Sequence, residues 1–146
     1  MKKTALILIF TFPFLFAYSQ SISDIAGDWY TQDKNAIVTI TVEGNTVVGT
    51  TTWMKEPNDD SGNPKLDKLN PDEKLRNRAR MGLRIMEGFV YNGDNVWEDG
   101  TIYKPDAGKI YGGTATLVDQ KTLKLKGYLL SLPFIGKTST WTRKTK

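Results

Sequence analysis

The 146-residue chain has no cysteine and no histidine. Without cysteine there is no disulfide, no thiol nucleophile and no thiolate metal site. Without histidine the chain lacks the commonest general base, the commonest metal ligand and the usual proximal haem ligand. Neither a Ser–His nor a Cys–His pair can be assembled, so the usual acyl-transfer machinery is absent. Charge of one sign is scarce as well: 20 Lys and Arg stand against 16 Asp and Glu. If Lys2 and Lys3 leave with an N-terminal leader, 18 basic side chains face 16 acidic ones, too even a balance to argue for nucleic acid. The basic end Arg143-Lys144-Thr145-Lys146 reads as a solvated terminus.

Long apolar runs are missing beyond residue 16. The single run, residues 6–16, is broken only by Thr11 and Pro13 and follows Lys2 and Lys3. Ala17-Tyr18-Ser19 places small residues three before and just before a cut at Gln20, which makes residues 1–19 an expected secretion signal. Spanning a bilayer takes ~20 apolar residues, so a retained anchor is the weaker alternative. With no cysteine after the run, lipid attachment there is excluded. The expected mature protein is exported, periplasmic or secreted, with no membrane span. Its length suits one domain with a single core and no metal or disulfide staples. A monomer is expected, with no cofactor and no metal.

From Gly27 onward nearly everything reads at period two. Ala36, Val38, Ile40 and Val42 alternate with Ile37, Thr39 and Thr41, and Glu43-Gly44-Asn45 turns the chain into a second strand over residues 46–54. Further strands are expected over residues 81–91, 96–104, 109–118, 122–130 and 137–143, with residues 27–32 at the start. Residues 132–136 read as an apolar loop before the last strand. Short turns between successive strands imply antiparallel neighbours, and about eight such strands remove their free edges by closing. The expected fold class is therefore all-β: one small antiparallel up-and-down β-barrel occupying residues 20–146. A sandwich would need longer connections. A membrane barrel is disfavoured by Lys124 and Lys126 on an outward strand face.

Residues 56–80 interrupt the pattern with Pro57, Pro64, Pro71 and a charged run from Asp72. A loop of this length is usually functional or disordered. A short helix is expected at residues 72–76, with Asn70 as N-cap and Pro71 at N1, and the loop as a whole as a lid or plug at a barrel mouth. A solvated insertion is the alternative.

Gly27-Asp28-Trp29 on the first strand, with Arg143 near the end of the last, resembles the calycin pattern of lipocalins, fatty-acid-binding proteins and avidins. The resemblance implies that Trp29 packs under Arg143 and closes one barrel end; an indole is a large apolar body on whose face a guanidinium stacks. A closer resemblance, over residues 25–143, is to the bacterial family catalogued as domain of unknown function 2147. It rests on Asp67-Lys68-Leu69-Asn70-Pro71-Asp72, Leu75-Arg76-Asn77-Arg78, Gly82-Leu83, Trp97-Glu98-Asp99-Gly100-Thr101-Ile102-Tyr103-Lys104-Pro105, Gly108-Lys109-Ile110-Tyr111, Leu123-Lys124-Leu125-Lys126-Gly127-Tyr128 and the closing residues 136–143. Where that family often has Arg-x-Arg-Pro-Leu, this chain has Ala79 and Arg80. The resemblance implies a lipocalin-like barrel and export, and implies no activity.

Catalytic carboxylate pairs are not evident. Glu98 and Asp99 would point to opposite strand faces, Asp59 and Asp60 sit beside Gly62 in a turn, and Asp67, Asp72 and Glu73 lack the EF-hand spacing for calcium. No catalytic residue is assigned. Binding is the better reading. Arg76, Arg78, Arg80 and Arg84 cluster where the long loop re-enters the barrel; at strand spacing the first three would share one face able to grip an anionic head group. The alternative is pairing with Asp67, Asp72 and Glu73. Trp53, Trp97, Tyr103 and Tyr111 fall on central strands, Trp97 and Tyr103 at the same parity. They would line a pocket, form an outer patch, or simply fill the core. Gly49, Gly112, Gly113 and Gly127 are expected at bulges or sharp coils that close the barrel. The function expected is binding of a small lipid-like or amphipathic anion in the cell envelope. The alternative is an interaction module that uses the outer surface and the 56–80 loop to bind an envelope protein or glycan.

Overall fold

Alternating β-branched and polar residues produce eight antiparallel strands, seen in a computed structural model that describes residues 20–145. They are β1 (Gly27–Tyr30), β2 (Ala36–Glu43), β3 (Thr46–Met54), β4 (Arg84–Gly93), β5 (Val96–Lys104), β6 (Lys109–Asp119), β7 (Thr122–Leu129) and β8 (Leu132–Arg143). Each pairs with its sequence neighbour, and β8 returns to β1, so the sheet is a closed up-and-down barrel. Two 3-10 turns complete it, η1 (Ile22–Ile25) and η2 (Glu73–Leu75). The expected leader, residues 1–19, lies outside the described residues.

The two barrel ends differ. At one end lie η1, the β2–β3, β4–β5 and β6–β7 turns, and the C-terminal residues of β8. Here the interior is solid: Ile25, Trp29, Val38, Val47, Phe89, Trp97 and Leu123 are all fully buried. Removing this many large apolar side chains from water, at about 1.5–3 kcal/mol each, is what holds the closed end together. The η1 turn lies across the end as a plug. Its carbonyls accept the two buried indole N–H groups, Ile25 from Trp29 at 2.8 Å and Ile22 from Trp97 at 3.2 Å.

Arg143 locks that plug. Its guanidinium lies 4.2 Å over the Trp29 ring. It donates to the carbonyls of Ala26 (2.6 Å), Asp24 (2.8 Å) and Gln120 (2.6 Å), joining η1, β8 and the β6–β7 turn. The lock matters because β1 and β8 share only two residue pairs, Trp29 with Arg143 and Tyr30 with Thr142.

Several local expectations are corrected. Residues 132–136 are not a loop before the last strand but the start of β8. Pairing steps from Tyr128 with Gly136 directly to Leu129 with Leu132, so residues 133–135 form an outward arc in which the missing Pro133 N–H costs no ladder bond. Strand β4 begins at Arg84 rather than Met81, because Gly82 takes φ +81° and turns the chain first. The N-cap of η2 is Asp72, whose carboxylate accepts from the Lys74 N–H at 3.0 Å, while Asn70 closes the turn before it by accepting from the Asp72 N–H. Gly112 and Gly127 lie in regular register, whereas Gly49 falls at irregular pairing and Gly113 stands opposite the edge of the β5 irregularity, paired with Gly100. Glycine provides room instead: a Cβ at Gly113 would stand 2.5 Å from the Phe89 ring, and one at Gly112 would stand 2.1 Å from that of Tyr128.

Candidate functional site

The opposite end of the barrel is open. Strands β1, β3, β5 and β7 all run toward it, so it carries the 31–35 turn, the long 55–83 connection, the 105–108 turn and the β7–β8 tip. Between them lies a half-open cavity of about 880 Å³. Ile85, Ile102, Leu125 and Trp141 give it an apolar patch, beside polar Thr51, Thr138 and Ser139. The rim is basic: Lys55, Lys65, Arg80, Lys104 and Lys137 face Asp33, Glu56 and Asp106. Arg80 is paired with Asp106, and Lys65 with Glu56 at 3.6 Å. Lys55, Lys104 and Lys137 have no carboxylate within 4.0 Å among the described residues. A cup of mixed lining, with an apolar patch and ammonium groups that lack carboxylate partners among the described residues, suits a ligand with an apolar body and an anionic end.

The long connection does not continue at strand spacing through the arginines, so Arg76, Arg78 and Arg80 do not form a row on one face. Each arginine has its own partner instead. Arg76 donates to the Asn70 carbonyl (2.8 Å) and to Glu73 (3.2 Å), and Arg78 to Asp67 (3.0 Å). Arg80 donates to the Leu66 carbonyl (3.0 Å) and to Asp106. Arg84 reaches across β3 to grip Glu43 with both terminal nitrogens, at 2.7 and 3.1 Å. Of the four, only Arg80 lines the cavity.

Asp67 is the anchor of the connection. It is buried and accepts hydrogen bonds from the Tyr103 hydroxyl, the Asn70 amide (2.8 Å) and Arg78. Burial alone would raise the Asp67 carboxyl, but these three donors and the Arg78 charge outweigh it and hold the group below its ordinary value. The same contact, together with burial, pushes the Tyr103 phenol up. A second close approach lies at Gly108, where a Cβ would stand 1.9 Å from the Leu69 carbonyl oxygen. The connection is therefore docked on the β5–β6 turn as part of the cavity rim. With Asp67 in this network, Asp72 capping η2 and Glu73 on Arg76, these three acidic residues of the loop are committed. No group of three metal-ligating side chains occurs among the described residues.

The aromatic candidates separate. A bulge between Trp97 and Gly100, with Asp99 at φ +60°, inserts one residue and reverses the alternation beyond it. Trp97 and Tyr103 therefore do not share a face: Trp97 is buried in the closed half against Tyr91, and Tyr103 stands at the mouth. Tyr103 and Tyr111 line the cavity. Trp53 lies on the outer surface, 40 % exposed and edge-on to Tyr30 at 6.4 Å. The cavity residues that sequence reasoning missed, among them Ile85, Ile102, Leu125, Lys104, Lys137 and Trp141, all sit on strands it had placed. The resemblance marked the Trp29–Arg143 end as closed, but strand alternation could not show which side chains leave space at the other end.

Comparison with known proteins supports the fold. HP1028 from Helicobacter pylori, a solved structure described as belonging to the lipocalin family, is 24% identical, with a TM-score of 0.71 over 84% of each chain. A redesigned β-barrel is 13% identical with a TM-score of 0.42, covering 86% of this chain and 95% of its own. A search of curated proteins returned no match. The profile of a family described as an uncharacterized protein conserved in bacteria (DUF2147) matches residues 27–143, which takes in all eight strands, the arginine lock and the cavity. The chain belongs to the DUF2147 family and has a lipocalin-like fold.

Proposed function

We propose that this protein is exported to the cell envelope and there binds a small amphipathic anion in the open half of its barrel. The cavity carries the proposal: an apolar patch of Ile85, Ile102, Leu125 and Trp141 beneath a rim where Lys55, Lys104 and Lys137 lack carboxylate partners among the described residues. Its size of about 880 Å³ is in the range of small-molecule sites. An acyl or other apolar tail would lie against that patch and a carboxylate or phosphate would meet the rim lysines. That reading moves the head group from the Arg76–Arg84 region to the rim, since those arginines are already neutralised. Lipocalin-like barrels are built for such cups, which adds general support. Export is supported by the character of residues 1–19.

Native mass spectrometry of the protein isolated from its own cells tests the reading, beside the same sample after denaturation and organic extraction. A stoichiometric extra mass that extracts as an amphiphile is expected. Titration with a fluorescent fatty acid should give saturable binding, weakened about tenfold or more by Lys104→Glu with Lys137→Glu. A bare mass together with no saturable probe binding would overturn it. Exposed Trp53 beside Tyr30 keeps a second reading in view, an envelope protein or glycan docked on the outer surface. In that case Trp53→Ala, and not the lysine pair, would abolish partner capture.

A further inference from the structure

The β7–β8 tip is the most apolar exposed feature of the molecule. Leu129, Leu130, Leu132, Phe134 and Ile135 are all exposed, Phe134 to 79 %, and Ile110 on the neighbouring strand adds to them at 54 %. Ser131 is the single polar side chain among residues 129–135. Residues 132–138 are exposed without alternation, so the tip presents apolar side chains on both faces. A flat protein partner would cover one of those faces; a fluid apolar medium covers both. Charge on the β7–β8 hairpin that carries the tip is of one sign, while Asp106 on the adjoining turn is paired with Arg80. Between Gln120 and Lys146 the sequence has seven basic residues and no acidic one. Exposed Lys126 and Lys137 flank the tip, and Lys104 and Lys109 face each other across the adjoining turn. The cavity opens beside it, with Lys137, Thr138 and Ser139 of the same strand in its wall.

We propose that residues 129–135 are a membrane-docking tip that inserts into the interface of an anionic bilayer and seats the barrel mouth on it. Shallow burial of a few large apolar side chains, reinforced by basic residues at head-group level, is the pattern of interfacial anchors. The proposal does not depend on what the cavity holds.

The absence of cysteine makes the test site-specific. The full chain with Phe134→Cys, labelled with an environment-sensitive fluorophore, is mixed with vesicles of phosphatidylcholine and phosphatidylglycerol; Asn45→Cys, at the closed end, is the parallel probe. The label at 134 should shift to the blue and be quenched by a lipid-borne quencher, while the label at 45 stays unchanged. Pure phosphatidylcholine should weaken the response, and Leu130→Ser with Leu132→Ser should reduce vesicle affinity about tenfold or more. No response at 134, or equal responses at both positions, overturns the proposal. So does a shift at 134 that tracks protein concentration without vesicles, which would mark the tip as a contact between copies of the chain. Binding driven by residues 1–19 would leave the label at 134 unquenched and survive the leucine substitutions, and so is also read as failure.

Discussion

Asp67 shows how one buried carboxylate organises a long connection. Its folded value lies below that of an unfolded aspartate, about 3.9. The stability it contributes is therefore complete above that unfolded value and is lost as pH falls through the lower folded one. Urea unfolding followed from about pH 6 down to about pH 2.5 should show this loss, and Asp67→Asn should remove most of it. A variant whose acid sensitivity matches the parent's would show that the loss arises elsewhere. Asp67→Ala should cost about 3 kcal/mol, because Arg78 and Asn70 are left without their shared acceptor. On the alkaline side the sign reverses: the raised Tyr103 phenol contributes stability that is lost as pH climbs through its folded value. Residue-scale reading of the sequence brought Arg78 and Asp67 together as candidate partners. It did not find Tyr103 as the third member, because 36 residues separate the two and no local pattern marks a contact across the barrel.

At the scale of elements, strand alternation was legible almost residue by residue. Strands β3 and β5 have the bounds that periodicity predicts, and the positive-φ pair Asp94 and Asn95 makes the expected tight turn. Alternation failed where an extra residue enters a strand. The β5 bulge at Asp99 moves Tyr103 off the Trp97 face, and the arc at residues 133–135 turns an expected loop into part of β8. Asp99 did carry a faint signal, since aspartate tolerates positive φ better than most residues. The long connection is the other element periodicity could not resolve, being held by side-chain contacts to turns far away in sequence. Gly108 is its tightest point of attachment. Gly108→Ala should release the connection, since φ +59° and the Leu69 carbonyl both exclude a methyl group. Limited proteolysis should then cut within residues 55–83 well before the barrel unfolds. Equal cleavage of parent and variant would mean that the connection is held by Asp67 alone.

The whole molecule is a cup with a solid base, an asymmetry that strand alternation did not carry and that only the Trp29–Arg143 pair foreshadowed. Both halves of each strand alternate equally well, so the pattern predicts a barrel without saying which end is filled. Trp29 and Arg143 mark the base only because both side chains meet η1 there. Arg143→Lys tests the lock as a property of the whole barrel. A lysine ammonium cannot span three carbonyls held in a planar fork, so the loss should be about 2–4 kcal/mol, read as a lower urea midpoint with cooperativity retained. An unchanged midpoint would assign barrel closure to the packing of Trp29 alone.

The narrow joint between β1 and β8 also has a meaning in time. The first strand to leave the ribosome has its barrel partner in the eighth, and the residue that bolts them together, Arg143, is the last of that strand. Seven strands can zip together as an open, curled ribbon, but the ring waits for Arg143. Until then Trp29 and the η1 residues lack their cover, so their apolar surface stays open to water longer than that of any strand zipped to its sequence neighbour.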